Sequence, residues 1–145
     1  MRFSGQVLKA GRYWAIEVPI LGVVTQGRTR KEAYAMIADA VESLVNKDGF
    51  HVDVFPGDEG YFEIGSTDIG ALTALLLRRQ RVKSGLSQSE VSQKLGSRSL
   101  NGYARYEQGR SIPTVGRLSL LLSAVAPGGG FVINESHGRG LPSRR

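Results

Sequence analysis

Around residue 66 the hydrophobic period of this chain changes, and that change divides it into two differently built halves. Residues 3–9, 13–19 and 22–26 alternate apolar and polar side chains in short runs, the two-residue period of half-buried strands. From about Thr67 onward the apolar residues fall at helical spacing instead. Charge divides at the same place. Residues 1–66 hold seven Lys and Arg against nine Asp and Glu, a net of −2; residues 67–145 hold twelve against four, a net of +8, and the two sum to the +6 of the chain. A length of 145 residues with 41% hydrophobic content suffices for a small core in each half.

The basic half carries the densest punctuation. Ser87 followed by Glu90 is a capping box opening a helix from about Gln88 to Leu95, with Val91 and Leu95 turned inward. Gly96 ends it. A second helix is expected from about Ser99 to Gln108, burying Leu100, Tyr103 and Tyr106 before Gly109 closes it. An amphipathic helix from about Thr67 to Ser84, with Leu72, Leu76 and Leu77 inward, precedes this pair, and Pro113-Thr114 opens a leucine-rich helix after it. Two short helices joined at a glycine with polar, basic side chains left outward are the form of a helix-turn-helix that reads DNA. The candidate DNA-binding residues are Gln88, Arg98, Ser99, Asn101, Arg105 and Arg110. Asn pairs bidentately with adenine and Arg with guanine in the major groove, and Gln88 at a helix start suits a phosphate.

Residues 78–125 resemble the Cro/C1-type helix-turn-helix family through Gly-Leu-Ser-Gln at 85–88, Lys-Leu-Gly at 94–96 and Tyr-Glu-Gln-Gly at 106–109. The turn Gly96-Ser97-Arg98-Ser99-Leu100-Asn101 is about one residue longer than the usual pattern. That bears on which side chains reach bases rather than on the class.

In the acidic half, Lys9-Ala10-Gly11-Arg12 is a hairpin connection between the first two of three antiparallel strands. Thr29 and Glu32 form a second capping box, opening a helix to about Asn46 with an apolar stripe of Ala33, Ile37, Ala40, Val41, Leu44 and Val45 that packs across the sheet. Lys47-Asp48-Gly49 ends the helix, and Phe50–Phe55 and Tyr61–Ile64 read as two more strands around Pro56-Gly57-Asp58-Glu59-Gly60. Of the alternating Tyr13 and Trp14, one belongs to the core and the other to an interface, with Trp14 assigned inward.

This half resembles the HicB antitoxin domain over residues 3–46, through Arg12-Tyr13-Trp14, Pro19-Ile20-Leu21-Gly22, Thr25-Gln26-Gly27 and Thr29-Arg30-Lys31-Glu32-Ala33. It departs from the family pattern at Val23-Val24 and at Arg30-Lys31. The two resemblances together imply an α+β chain: a partial RNase H-like antiparallel sheet with one packed helix over 1–66, an all-α Cro/C1-type helix-turn-helix domain over 67–126, and a tail over 127–145. They also imply the antitoxin of a type II toxin–antitoxin pair, which neutralises a HicA-like mRNA-cleaving toxin and represses its own operon. The alternative is a free-standing transcriptional regulator whose N-terminal domain senses a ligand or a protein. Candidate toxin-binding residues are the carboxylates Glu17, Glu32, Asp39 and Glu42, which suit a basic partner surface.

Other chemistry finds little footing. Phe3–Lys9 contains no carboxylate, and Glu17, Asp39, Glu42 and Asp53 do not assemble into the converging set that a two-metal nuclease needs, so no catalytic residue is assigned. The absence of cysteine removes disulfides and thiolate sites, and His51 and His137 alone make no metal cluster; no metal or cofactor is expected. Gly128-Gly129-Gly130 lacks the lysine of a phosphate loop. No apolar run reaches a membrane span and the N-terminus lacks a signal-peptide core, so a cytoplasmic protein without a membrane partner is expected. The partners expected are the toxin, operator DNA and a second copy of the chain, in a homodimer or higher even oligomer. Phe131-Val132-Ile133-Asn134 is either a short strand pairing across the dimer axis or part of a disordered tail.

Overall fold

The computed structural model describes residues 1–96 and 100–136 and, within them, every side chain but those of 100 and 101. The described residues divide into two compact units, one of residues 1–69 together with 134–136, the other of residues 70–133.

Alternation dictates the first unit. β1 (Arg2–Ala10), β2 (Tyr13–Val18), β3 (Val23–Gly27), β4 (Asp53–Pro56) and β5 (Tyr61–Gly65) form one antiparallel sheet in the order β3-β2-β1-β5-β4. Phe3, Val7, Ile16, Val18, Val54, Phe62 and Ile64 point to one face and are buried there. α1 (Arg30–Val45) covers that face through Ala33, Tyr34, Ile37, Ala38 and Val41, with the Tyr34 ring edge-on to Phe62 at 5.6 Å between centroids. The expected stripe therefore needs correcting. Tyr34 and Ala38 belong to the core, whereas Ala40, Leu44 and Val45 are half-buried at the margin of the contact. The helix stops at Asn46, whose own left-handed backbone (φ 51°) caps it, one residue before the expected Lys47-Asp48-Gly49 signal.

The opposite face of the sheet carries no helix of this unit, and Leu8, Tyr13, Glu17 and Val24 lie exposed on it. Trp14, expected in the core, is half-buried: the Lys9 ammonium and the Arg30 guanidinium lie 5.2 and 5.3 Å from its ring centre. The two edge strands differ. β4 is four residues long and ends in Pro56, whereas β3, Val-Val-Thr-Gln-Gly, carries neither proline nor lysine.

Gly27, at the end of β3, sits where a Cβ would come within 2.4 Å of the Ala33 backbone nitrogen and 2.9 Å of its Cα. Only glycine lets the first turn of α1 lie this close to the strand. Thr29 Oγ1 then accepts the Glu32 N–H at 3.0 Å, capping the helix where expected, while the Glu32 carboxylate accepts the Arg28 N–H at 3.0 Å, one residue before the Thr29 N–H that a full capping box would use.

The second unit is helical: α2 (Ile69–Lys83), α3 (Gln88–Lys94), α4 (Leu100–Glu107) and α5 (Val115–Val125). Leu72, Leu75, Leu76 and Leu77 of α2, Val91 of α3, Tyr103 of α4 and Leu121 and Val125 of α5 are its most deeply buried apolar side chains, Leu75 joining the three leucines expected inward. Leu95 and Tyr106, expected inward, are half-buried, the latter beneath the Arg117 guanidinium at 5.8 Å. Phe131–Asn134 forms no strand within the chain; Val132 and Ile133 are exposed, and Ser136 instead hydrogen-bonds Glu63 of β5. Among the described residues no helix is long and apolar enough to cross a membrane.

Candidate nucleic-acid interface

Three backbone devices set the geometry of α3 and α4. α2 ends at Gly85 (φ 71°), whose N–H bonds the Val82 carbonyl at 3.0 Å while the Leu86 N–H bonds that of Arg81 at 3.2 Å. This paired closure turns the chain sharply out of the helix. Ser87 Oγ then accepts the Glu90 N–H at 3.1 Å, and the Glu90 carboxylate accepts the Ser87 N–H at 3.2 Å, so the capping box is present. α4 closes as α2 does, at Gly109 (φ 73°), with the Arg110 N–H bonded to the Arg105 carbonyl at 2.9 Å.

A buried ion pair ties these pieces together. The Arg81 Nε donates to both Glu107 carboxylate oxygens at 2.9 and 3.1 Å, and its Nη1 donates to the Leu86 carbonyl at 2.9 Å. One guanidinium thus joins the end of α2, the loop before α3 and the last residue of α4. The Glu107 side chain is 2% exposed. Burial opposes its ionisation, but the Arg81 guanidinium bonded to it, with the Tyr103 and Gln88 side chains beside it, prevails and holds its pKa below the ordinary glutamate value. Burial, then the same carboxylate, raises the pKa of the Tyr103 hydroxyl, so that group stays protonated.

The expected DNA-contacting residues fare unequally. Arg105 and Arg110 are both exposed, one on the last turn of α4 and the other just past it, and the closing hydrogen bond keeps them together. Gln88, the first residue of α3, is half-buried and hydrogen-bonds Glu107, which fixes the start of α3 against the end of α4. Arg98 and Ser99 lie outside the described residues, as does the side chain of Asn101. Tyr103 is buried as expected, whereas the pairing of Arg81 with Glu107 was not singled out from the sequence. Glu107 stands four residues after the inward Tyr103, so helical spacing alone places its carboxylate on the buried side, where a charge demands a partner.

Residues 77–125 match the helix-turn-helix family. The C-terminal unit is a DNA-binding domain of the transcription-regulator kind. No curated protein matches the chain over its length or any part of it. For the helix-turn-helix, Arg110→Ala should lower the slope of log affinity against log salt by about 0.9, the value of one phosphate contact. Arg105→Ala should cost about 1–3 kcal/mol on the best operator and relax its sequence preference. Titrations at several salt concentrations separate the two effects, and an unchanged slope for Arg110→Ala would place that residue off the DNA.

In the sheet unit the four candidate carboxylates do not form one patch. Glu17 is exposed on the open face, away from the helix. Glu32, Asp39 and Glu42 lie along α1, on the other side of the sheet. Two of these serve the fold as well: Glu32 caps α1, and Glu42 accepts the Val52 N–H at 2.9 Å, holding the segment before β4. His51, exposed, stands 3.9 Å from the same Glu42 oxygen. Asp39 and Glu42, with Asp48 and Lys47, line a shallow depression of about 310 Å³ at the carboxyl end of α1. On the open face, Glu63 is buried and accepts hydrogen bonds from Tyr61, Arg2 and Ser136. Desolvation works against its charge, yet Ser136, Tyr61 and Arg2 together lower its pKa.

Proposed function

We propose that this chain is the antitoxin of a type II toxin–antitoxin pair. Its sheet unit caps a small, basic, mRNA-cleaving toxin of the HicA kind, and its helix-turn-helix represses the pair's own operon as a homodimer or higher even oligomer. The observation that carries the reading is where the motif residues fall. Pro19-Ile20-Leu21-Gly22 is the turn between β2 and β3, Gly27 is the close approach of strand to helix, and Thr29 and Glu32 cap that helix. Three of the four HicB-like motifs thus hold a joint of this fold, and the fourth, Arg12-Tyr13-Trp14, opens β2. The charge division supports the reading from another side. Residues 1–66, net −2, suit a basic RNA-cleaving partner, and residues 67–145, net +8, suit DNA. In this reading the chain works by binding alone and catalyses no reaction.

The acidic depression at the end of α1 is the part of the surface best suited to a cationic side chain, because the negative end of the helix dipole adds to Asp39 and Asp48. Asp39→Lys with Asp48→Lys should weaken toxin binding at least about tenfold, mostly through a slower and less salt-sensitive association. Glu17→Lys, on the opposite face, should leave it unchanged. The reverse result would move the interface to the open face.

The founding experiment is co-expression of the tagged chain with the small open reading frame beside its gene, followed by pull-down and a growth assay. A complex that restores growth is the expected result. A chain that binds operator DNA but captures no such product would instead be a free-standing regulator with an N-terminal sensor.

A further inference from the structure

The sheet unit is acidic in sum but not in distribution. Residues 1–66 hold seven Lys and Arg, and five of them, Lys9, Arg12, Arg28, Arg30 and Lys31, are exposed at one end of the sheet. The strand register puts them there. Lys9 is paired with Trp14 and Trp14 with Gly27, so these three form a row across β1, β2 and β3; Arg12 lies in the turn just beyond that row and Arg28 follows it. α1 opens at the same end, with Arg30 and Lys31 as its first two residues. At 16 residues this helix is about 24 Å long, so the cations and the depression lined by Asp39, Glu42 and Asp48 stand toward its opposite ends.

Two observations set this cluster apart from an ordinary solvated surface. Among the described residues none of the five cations is in an ion pair, whereas the other two of the seven, Arg2 and Lys47, are paired with Glu63 and Asp68. Glu32, the carboxylate next to them in the chain, is turned to the Arg28 N–H. The second observation is electrostatic. Arg30 and Lys31 occupy the first turn of α1, where the positive end of the helix dipole favours carboxylates and opposes cations. Cations set against one another and against the dipole destabilise the unit that bears them, and a polyanion relieves both repulsions. Trp14 supplies rigidity: the Lys9 ammonium and the Arg30 guanidinium lie 5.2 and 5.3 Å from the centre of its half-buried ring.

We propose that this end of the sheet unit holds the phosphate backbone of the duplex that the helix-turn-helix reads, outside the sequence it recognises. Five cations spread over a strand turn and a helix start match a row of phosphates rather than a single anion, and duplex DNA offers one charge for about every 1.7 Å of its axis. Covalent linkage favours DNA over other polyanions. Only Ser66-Thr67-Asp68 separates β5 from α2, so once α3 and α4 hold a duplex the sheet unit meets the same molecule at an effective concentration on the order of millimolar. A few phosphate contacts then suffice. They read no bases and add only affinity and salt dependence. The proposal rests on DNA binding by the helical unit and is independent of the toxin.

Trp14 is the one tryptophan of the chain, so its emission reports on this surface directly. The probe is a duplex selected by the full, unaltered chain from a random-sequence pool, used in a form trimmed to the selected core and in a form extended by about one helical turn, ~10 base pairs, on each side. The extended duplex should bind at least about tenfold more tightly than the core, with a slope of log affinity against log salt steeper by about 0.9 for each phosphate engaged. It should also shift the Trp14 emission, which the core should not. Arg12→Gln with Arg28→Gln and Lys31→Gln should abolish the gain from the flanks while binding the core as before, with the melting temperature of the sheet unit no lower. An unaltered chain indifferent to the flanks would overturn the proposal, as would a triple variant that keeps the whole gain. A single-stranded RNA that shifts the Trp14 emission where the extended duplex does not would also overturn it, assigning the surface to RNA. A pool that yields no duplex would refute DNA binding by the helical unit and this proposal with it.

Discussion

Arg81→Met should unfold the helix-turn-helix unit at temperatures where the sheet unit stays folded. The substitution leaves the Glu107 carboxylate, 2% exposed, with its charge buried and its strongest donor gone. Breaking a buried ion pair from one side costs about 3–5 kcal/mol. The two partners are not equivalent. The Arg81 side chain is 16% exposed and can regain part of its hydration, whereas Glu107 cannot. Arg81→Met should therefore lie near the upper end of that range and Glu107→Gln, which keeps a polar group in place, near the lower. Small domains hold only about 5–15 kcal/mol in total, and in one of this size each kcal/mol moves the melting midpoint by about 4–8 °C. Calorimetry should show one transition displaced and the other in place, with operator binding lost; a single transition moving as a whole would mean that the units melt as one. The pH dependence follows from the lowered Glu107 pKa. Its contribution is complete above the ordinary glutamate value and is lost as pH falls through the folded-state value beneath it. Acid should melt this unit earlier than neutral solution does, and Glu107→Gln should flatten that response.

Gly27→Ala should do to the sheet unit what Arg81→Met does to the helical one. The added methyl would stand 2.4 Å from a backbone nitrogen, 2.8 Å from a carbonyl carbon and 2.9 Å from a Cα, none of which can swing aside as a side-chain end does. Overpacking of this kind costs about 1–3 kcal/mol, and more when the obstacle is backbone. Gly27→Val should exceed it. The expected phenotype, on the proposed antitoxin reading, is a chain that still binds operator DNA but no longer protects cells from the toxin. Loss of both functions would mean that the helical unit depends on the sheet unit for its folding. Gly116→Ala is the control, since the same added methyl meets nothing there and should leave the fold unharmed.

These two positions show which parts of the fold could be read from the residues alone. Both helix starts, Thr29 with Glu32 and Ser87 with Glu90, are local devices spelled out within four residues; the structure builds the second as a full capping box and the first as a Thr29 cap whose Glu32 carboxylate reaches one residue further back, to the Arg28 N–H. The alternation that defines β1 to β3 is equally local. Tyr34 was missed because its burial depends on Phe62, 28 residues away in sequence and opposite it only once the sheet has formed. Trp14 failed in the other direction: hydrophobicity assigned it to the core, but neighbouring Lys9 and Arg30 hold it at the margin. Among the candidate carboxylates, charge alone could not separate a residue free to meet a partner from Glu32 and Glu42, whose oxygens are engaged by backbone N–H groups. Arg81 and Glu107, 26 residues apart, became a pair only when α2 and α4 came together.

The two edges of the sheet carry a consequence for the chain's life in the cell. β4 is short and ends in proline, a poor template for a further strand, while β3 offers its free edge with Val24 69% exposed and no lysine or proline to blunt it. An unguarded edge of this kind recruits any extended segment nearby, whether from a damaged protein or another nascent copy of the same chain. A copy with that edge uncovered should therefore aggregate more readily than one in which something covers it.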